Sequence, residues 1–182
     1  SLRRQRQMCI RDSWKIKLSD NKKVYLAGPD IFLPNPIEHG EKLKNICLQY
    51  GLEGLYPLDN QLDLEKFERG PEKAIEIYKA DIELIDRCDC LVANLIPFRG
   101  PSADPGTCFE LGYAVAQGKP VAIYSNDQRE YKEKIEDMKL TDDLWSIENM
   151  GLPDNLMLIA PTKNIIFDSF EAAILNLSKI MK

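Results

Sequence analysis

Three carboxylates in this chain occupy positions where a carboxylate is either costly or already employed. Residues 71–88 have the spacing of an amphipathic helix, with about 100° between successive side chains. Ala74, Ile75, Ile77, Tyr78, Ile82, Leu84, Ile85 and Cys88 share one broad arc, and Asp81 falls near its middle as the only charge there. An unpaired carboxylate on a buried face costs several kcal/mol. Asp81 is therefore either bonded to a nearby loop backbone or kept for chemistry.

Glu110 is the second. It is the only ionisable carboxylate in residues 106–116, a segment apolar on nearly every side. It either faces solvent in a first helical turn, where the helix dipole favours an anion, or turns into a packed site. Asp104 precedes Pro105 and Gly106, which is N-cap spacing with proline at the first helical position. A capping carboxylate still has a second oxygen for a ligand. Carboxylates gathered at one sheet mouth suit glycosidic chemistry: one attacks or stabilises the anomeric carbon and another manages the leaving group's proton. Hard-cation loops rich in oxygen ligands are not evident, and His39 is the single imidazole, so no metal and no cofactor are expected.

The elements that must position these groups alternate strand and helix signals. Strand-like runs fall at residues 23–27, 55–56, 89–95 and 121–124, with further candidates at 156–159 and 165–167. Helical runs fall at 36–50, 71–88, 105–117 and 170–181, punctuated by Gly51, Pro71, Gly118 and the capping Ser169. Residues 127–150 read as helix plus loop. Strands separated by helices predict an α/β fold with a parallel sheet covered on both faces. Ligands of such sheets bind beyond the carboxyl ends of the strands, which directs attention to residues 28–35, 57–61 and 95–107.

Composition sets the outer limits. The chain has 182 residues, 44% hydrophobic and 29% charged, which is enough for one domain and argues against disorder. A net charge of -5 argues against a dedicated nucleic-acid binder, and no apolar run is long enough for a membrane span. The five cysteines lack metal-ligand spacing and read as reduced thiols of a cytoplasmic protein; Cys88 and Cys90 would project alike in a strand and diverge in a helix. Residues 1–13 carry four arginines and one aspartate, net +3 against -8 for the remainder. They resemble a translated adaptor read-through, the alternative being a basic arm. Residues 1–21 are expected to be a non-native or disordered extension and 22–182 the domain.

The residues of that domain resemble the nucleoside 2-deoxyribosyltransferase family. The matching pieces are Val24-Tyr25-Leu26-Ala27-Gly28-Pro29, Pro57-Leu58-Asp59-Asn60-Gln61, Ala80-Asp81-Ile82, Cys88-Asp89, Asp104, Phe109-Glu110-Leu111-Gly112-Tyr113-Ala114 and Leu152-Pro153-Asp154-Asn155-Leu156. Their order and spacing carry the likeness across about residues 22–180. It implies a flavodoxin-like three-layer sandwich on a five-stranded parallel sheet, and transfer of a 2-deoxyribosyl group between nucleobases. Glu110 would be the nucleophile and Tyr25 would orient it. Asp81 and Asp104 would hold and protonate the base, Gln61 would touch it, and Phe32 would stack on it. Gly28 would approach the substrate. Asn155 would reach the sugar 5′-hydroxyl from a neighbouring subunit, so a homo-oligomer with shared sites is implied. The partners would be small deoxynucleosides and nucleobases.

One departure concerns the tail. Family members can carry a tyrosine there, whereas Ser178-Lys179-Ile180-Met181-Lys182 has none, so control of the nucleophile is expected to differ. Two other readings stand beside this one. A deoxynucleoside 5′-monophosphate N-glycosidase would use the same nucleophile with Arg99 near a phosphate, although Gly28-Pro29-Asp30 sets a proline and an acid where the phosphate cradle should lie. A nucleotide-sensing module without turnover would have no use for a desolvated Glu110.

Overall fold

The computed structural model describes residues 21–60, 70–141 and 144–182. The expected extension at residues 1–21 lies outside these but for Asn21, and Gln61 lies outside them as well.

Four parallel strands form the sheet: β1 (Lys22–Ala27), β2 (Leu52–Leu55), β3 (Cys90–Asn94) and β4 (Val121–Tyr124), in the order β2-β1-β3-β4. The central strands are buried on both faces, which explains their continuous apolar composition. Alternation then assigns each residue its side. Tyr25, Ala27, Leu91, Ala93 and Ile123 belong to one core cluster, whereas Val24, Leu26, Cys90, Val92 and Ala122 belong to the other. Helices α1 (Pro36–Gln49) and α6 (Phe170–Ile180) cover the second face. Helices α2 (Pro71–Arg87) and α3 (Pro105–Ala116) cover the first, the face onto which Tyr25 points. Short helices α4 (Tyr131–Asp137) and α5 (Leu156–Ile159) follow β4. This three-layer arrangement, with strand order reversing between β1 and β3, is flavodoxin-like.

The fifth strand is reduced to a remnant. Residues 156–159 form α5 rather than a strand, because Asn155 caps them: its side chain accepts from the Met157 amide at 3.0 Å. Lys163 and Asn164 then take left-handed backbone angles, with φ of 56° and 62°, which interrupts extension. Only Phe167 reaches the sheet, exchanging hydrogen bonds with Ile123 and Ser125 in a single parallel bridge beside Tyr124. Ser169 caps α6 immediately afterwards.

Other local devices fix the layers. Gly51 and Gly118 take φ of 76° and 71° just past the ends of α1 and α3, the left-handed turn that glycine adopts without strain. The Lys119 ammonium donates to the carbonyls of Ile85, Asp86 and Cys88 and so closes the C-terminus of α2. Asp89 accepts from the Lys23 amide at 2.8 Å, tying β1 to the start of β3. Cys88 and Cys90 lie in opposite core clusters, because Cys88 ends α2 and only Cys90 is in the strand. No helix among the described residues is long and apolar enough to cross a membrane.

Candidate active site

The expected arc of α2 is present, but only its C-terminal part is packed away. Leu84 and Ile85 are buried, whereas Ile75 and Tyr78 remain half exposed. Between them, Ile77, Asp81 and Ile82 form one wall of a cavity of about 340 Å³. Gly106, Phe109 and Glu110 of α3 form the opposite wall. Asp81 is thus central to the arc because the arc faces a cavity at that point. The size and the mostly apolar walls suit a small aromatic ligand.

Glu110 points into this space. Helix α3 begins at Pro105, so Glu110 sits in the second turn, past the reach of the helix dipole, and faces inward rather than to solvent. The Tyr25 hydroxyl donates to its Oε1 at 2.7 Å from beneath, the phenol being fully buried in the sheet. Burial raises the Glu110 carboxyl to about 8, against an ordinary value of 4.5. The Tyr25 hydrogen bond opposes that rise, while the charges of Asp81 and Asp104 add to it. Burial and the nearby carboxylates hold the Tyr25 phenol far above its usual range, so it remains a donor at any ordinary pH.

Asp81 is raised to about 6, chiefly by burial, with a hydrogen bond from Asn60 acting the other way. That bond is long, 3.4 Å, and the same Asn60 amide donates to the Pro57 carbonyl at 2.6 Å. Asp104 is the N-cap its position suggested: Oδ2 accepts from the Thr107 amide at 2.9 Å and the Thr107 hydroxyl at 3.2 Å. Among the described residues no hydrogen bond engages its Oδ1. Glu110 and Asp81 therefore face one cavity, with Tyr25 holding Glu110 from beneath and Asp104 near enough to act on Glu110 electrostatically.

The remaining candidates are elsewhere. Phe32 is half exposed beyond β1, stacked on Phe98 with ring centroids 5.2 Å apart, and does not line the cavity. The Arg99 guanidinium covers both rings, at 5.2 Å from Phe32 and 4.7 Å from Phe98, and so bridges the loops after β1 and β3. A Cβ on Gly28 would lie 2.3 Å from Asp30 Oδ2 and 2.9 Å from Asn94 Cβ. That glycine is required by its own loop, where Asp30 bonds to Asn94 and His39. Asn155 caps α5, donates to Glu148 at 2.9 Å and borders a separate cavity of about 270 Å³ beside Tyr131 and Ile135. Within one chain it does not join Glu110.

Asn60, Phe109 and Tyr78 were not singled out from sequence. Asn60 stood inside a quoted motif, one position before Gln61, and an asparagine following a turn is a common polar anchor. Tyr78 stood on the apolar arc and Phe109 inside a quoted motif, and the available signal was that each neighbours a helical carboxylate.

A parallel α/β sheet with a desolvated, tyrosine-held carboxylate beyond its strands defines the class. The nucleoside 2-deoxyribosyltransferase family model matches residues 24–157, and the chain belongs to that family. An uncharacterized protein of Schizosaccharomyces pombe, C191.05c, is 47% identical over 113 residues, 62% of this chain. The match spans 54% of that relative's own length, about half. The solved structure of a 2-desoxiribosyltransferase from Leishmania mexicana is 36% identical, covers 87% of this chain and 97% of its own, and superimposes with a TM-score of 0.70. The 2-deoxyribosyltransferase of Bacillus psychrosaccharolyticus shares the fold at 24% identity and a TM-score of 0.54, covering 85% of this chain and 90% of its own.

Proposed function

We propose that the protein transfers the 2-deoxyribosyl group of a 2′-deoxyribonucleoside to another nucleobase through a covalent glycosyl ester on Glu110. The observation that carries this reading is the Glu110 carboxylate, desolvated at a cavity wall and aimed by a buried Tyr25 hydroxyl at 2.7 Å. A carboxylate so held has lost its hydration and retains a lone pair directed at the cavity. In the first half-reaction a Glu110 oxygen bonds to C1′ as the C1′–N bond breaks. The electron pair leaves with the base, which Asp104 holds through its free Oδ1 so that the departing nitrogen takes a proton from Asp81. In the second half an incoming base gives its proton to the Asp81 carboxylate and displaces Glu110. Two inversions restore the original configuration, and water in place of the base gives hydrolysis.

This chemistry needs one anion and one proton between the two carboxyl groups. With Glu110 raised to about 8 and Asp81 to about 6, the pair holds one proton between those values. In the empty cavity the proton rests on Glu110, the more desolvated group, and the reaction requires it to pass to Asp81 once the substrate is bound, before Glu110 attacks. Positive charge developing at C1′ favours the Glu110 anion, and the departing base offers the proton a new site. Apolar walls from Ile77, Ile82 and Phe109 keep water from competing and receive the flat base.

The decisive measurement is acid quenching of the wild-type enzyme with a deoxynucleoside, followed by peptide mass analysis. One deoxyribosyl group should be found on the peptide containing Glu110, and Glu110→Ala should lose both exchange and hydrolysis. An adduct on another residue, or an active Glu110→Ala enzyme, would overturn the reading.

A second copy of the chain completes the site in this reading. Ile75, Tyr78 and Phe109 are 50%, 53% and 51% exposed on the outer surface of α2 and α3, a large apolar face for one chain. A neighbouring subunit covering it would bring its own Asn155 to the sugar 5′-hydroxyl. Mixing Glu110→Ala with Asn155→Ala subunits should then restore part of the activity by making pockets with both residues intact. No recovery despite demonstrated subunit exchange would disprove the shared site.

A further inference from the structure

Asp154 is the one fully buried aspartate or glutamate among the described residues, and it lies outside the Glu110 cavity. Its side chain is 2% exposed and accepts three hydrogen bonds. The Ser102 hydroxyl donates to Oδ1 at 2.5 Å, the Asn155 amide to Oδ1 at 2.7 Å, and the Ala103 amide to Oδ2 at 2.9 Å. Ser102 and Ala103 are the two residues immediately before Asp104, and Ala103 is itself buried. The nearby Lys134 is 1% exposed, donates to the Asp127 carbonyl at 3.3 Å and interacts electrostatically with Asp154. A negative side chain is thus walled in by donors and one cation, and every donor belongs to the segment before Asp104 or to Asn155.

We infer that Asp154 is a positioning residue that sets the Asp104 carboxylate against the leaving base. The loop between β3 and α3 holds Pro97, Gly100 and Pro101 and forms no regular structure, so its path has to be fixed by bonds from outside. The Phe98 amide donates to the Ser102 carbonyl at 3.0 Å within the loop. The Asp154 carboxylate provides the long-range tie, 52 residues from Ser102. With Ser102 and Ala103 pinned and Thr107 held by the cap, Asp104 is clamped from both sides. Its Oδ1 direction follows from that clamp. The same carboxylate holds Asn155 by its amide, so one group sets both the Asp104 loop of its own chain and the start of α5.

This inference rests on the glycosyl-transfer reading, in which Asp104 engages the base as it leaves. The test compares two substrates: 2′-deoxyguanosine, whose base needs help with a proton, and 2′-deoxy-7-methylguanosine, whose base departs without one. Rates are normalised to the fraction of enzyme forming the glycosyl ester, which removes any loss from misfolding. Asp104→Asn should slow 2′-deoxyguanosine by about 10²-fold or more and the methylated substrate far less. Asp154→Asn should reproduce that selective loss at about 10-fold, since a displaced carboxylate is only partly disabled. Ser102→Ala removes a single bond to Asp154, keeps the fold under less stress, and should show the same selectivity in smaller degree. In Asp104→Asn the further change Asp154→Asn should leave the ratio of the two rates unaltered, because there is nothing left to position. Equal losses on both substrates in Asp154→Asn and Ser102→Ala, beside a selective loss in Asp104→Asn, would overturn the inference while leaving the reaction intact. A further fall in the ratio in the double variant would overturn it too. If Asp104→Asn itself shows no selectivity, the role of Asp104 fails first, and the inference with it.

Discussion

Glu110 and Asp154 are both carboxylates withdrawn from solvent, and their surroundings could hardly differ more. Asp154 accepts from two backbone amides and a hydroxyl, with the buried Lys134 nearby. Glu110 accepts one hydrogen bond, from Tyr25, and otherwise faces a cavity with apolar walls. A buried carboxylate with several donors is a structural joint, because its lone pairs are spent. One left with a single donor retains reactive lone pairs, at a cost in stability that the rest of the fold offsets. Burial alone does not distinguish the two, whereas the count of donors does.

Asp81 falls between them, and its replacement should give the largest effect short of the complete loss expected of Glu110→Ala. It lines the cavity with Glu110 but has one long bond, 3.4 Å, to Asn60. If it supplies the base with its proton, Asp81→Asn should lower kcat on ordinary nucleosides by about 10²- to 10³-fold. The pH profile should change shape as well. The wild-type profile should be a bell, falling below about 6 as the pair gains a second proton and above about 8 as it loses the only one. In Asp81→Asn only Glu110 titrates in the cavity, so residual activity should rise with pH to a plateau. Its midpoint should lie below about 8, because the Asp81 charge that raises Glu110 is gone. A variant that keeps the falling alkaline limb would assign the proton to another group.

The contrast between the two carboxylates was only partly legible in the sequence. Periodicity correctly gave the four long helices, the parallel sheet and an Asp81 inside an apolar arc, because 3.6- and 2-residue spacing is a local property. The cap at Asp104 was legible for the same reason, since N-cap and N3 are three residues apart. The Tyr25–Glu110 bond spans 85 residues and followed from family likeness rather than from any local pattern. The Asp154 joint spans 52 residues to Ser102 and left no periodic trace, so Asp154 stood only as one residue of the motif around Asn155. The fifth strand failed for a local reason that propensity hid. Residues 156–159 are apolar enough for a strand, but the Asn155 cap starts a helix, and two left-handed residues at 163–164 leave little of the chain extended.

A smaller effect separates the two carboxylates by stability instead of rate, using the same chemical change at each. Glu110→Gln preserves the bond from Tyr25 and removes a charge that folding disfavours. The folded carboxyl titrates at about 8 against an ordinary 4.5, so folding favours the neutral form. The stability gained from that preference is complete below about 4.5 and is lost as pH rises through about 8. The glutamine cannot lose it. Glu110→Gln should therefore melt close to wild type at pH 5 and above it at pH 8.5, by about 5 °C. Asp154→Asn should do the opposite. An amide there turns a donor toward one of three donors, so at least one buried bond is lost, at about 1–3 kcal/mol. For a chain of this size that lowers Tm by roughly 3–10 °C. Calorimetry at the two pH values measures both. Equal losses at the two sites would mean that Glu110 is held as firmly as Asp154, and the distinction drawn from donor counts would fail.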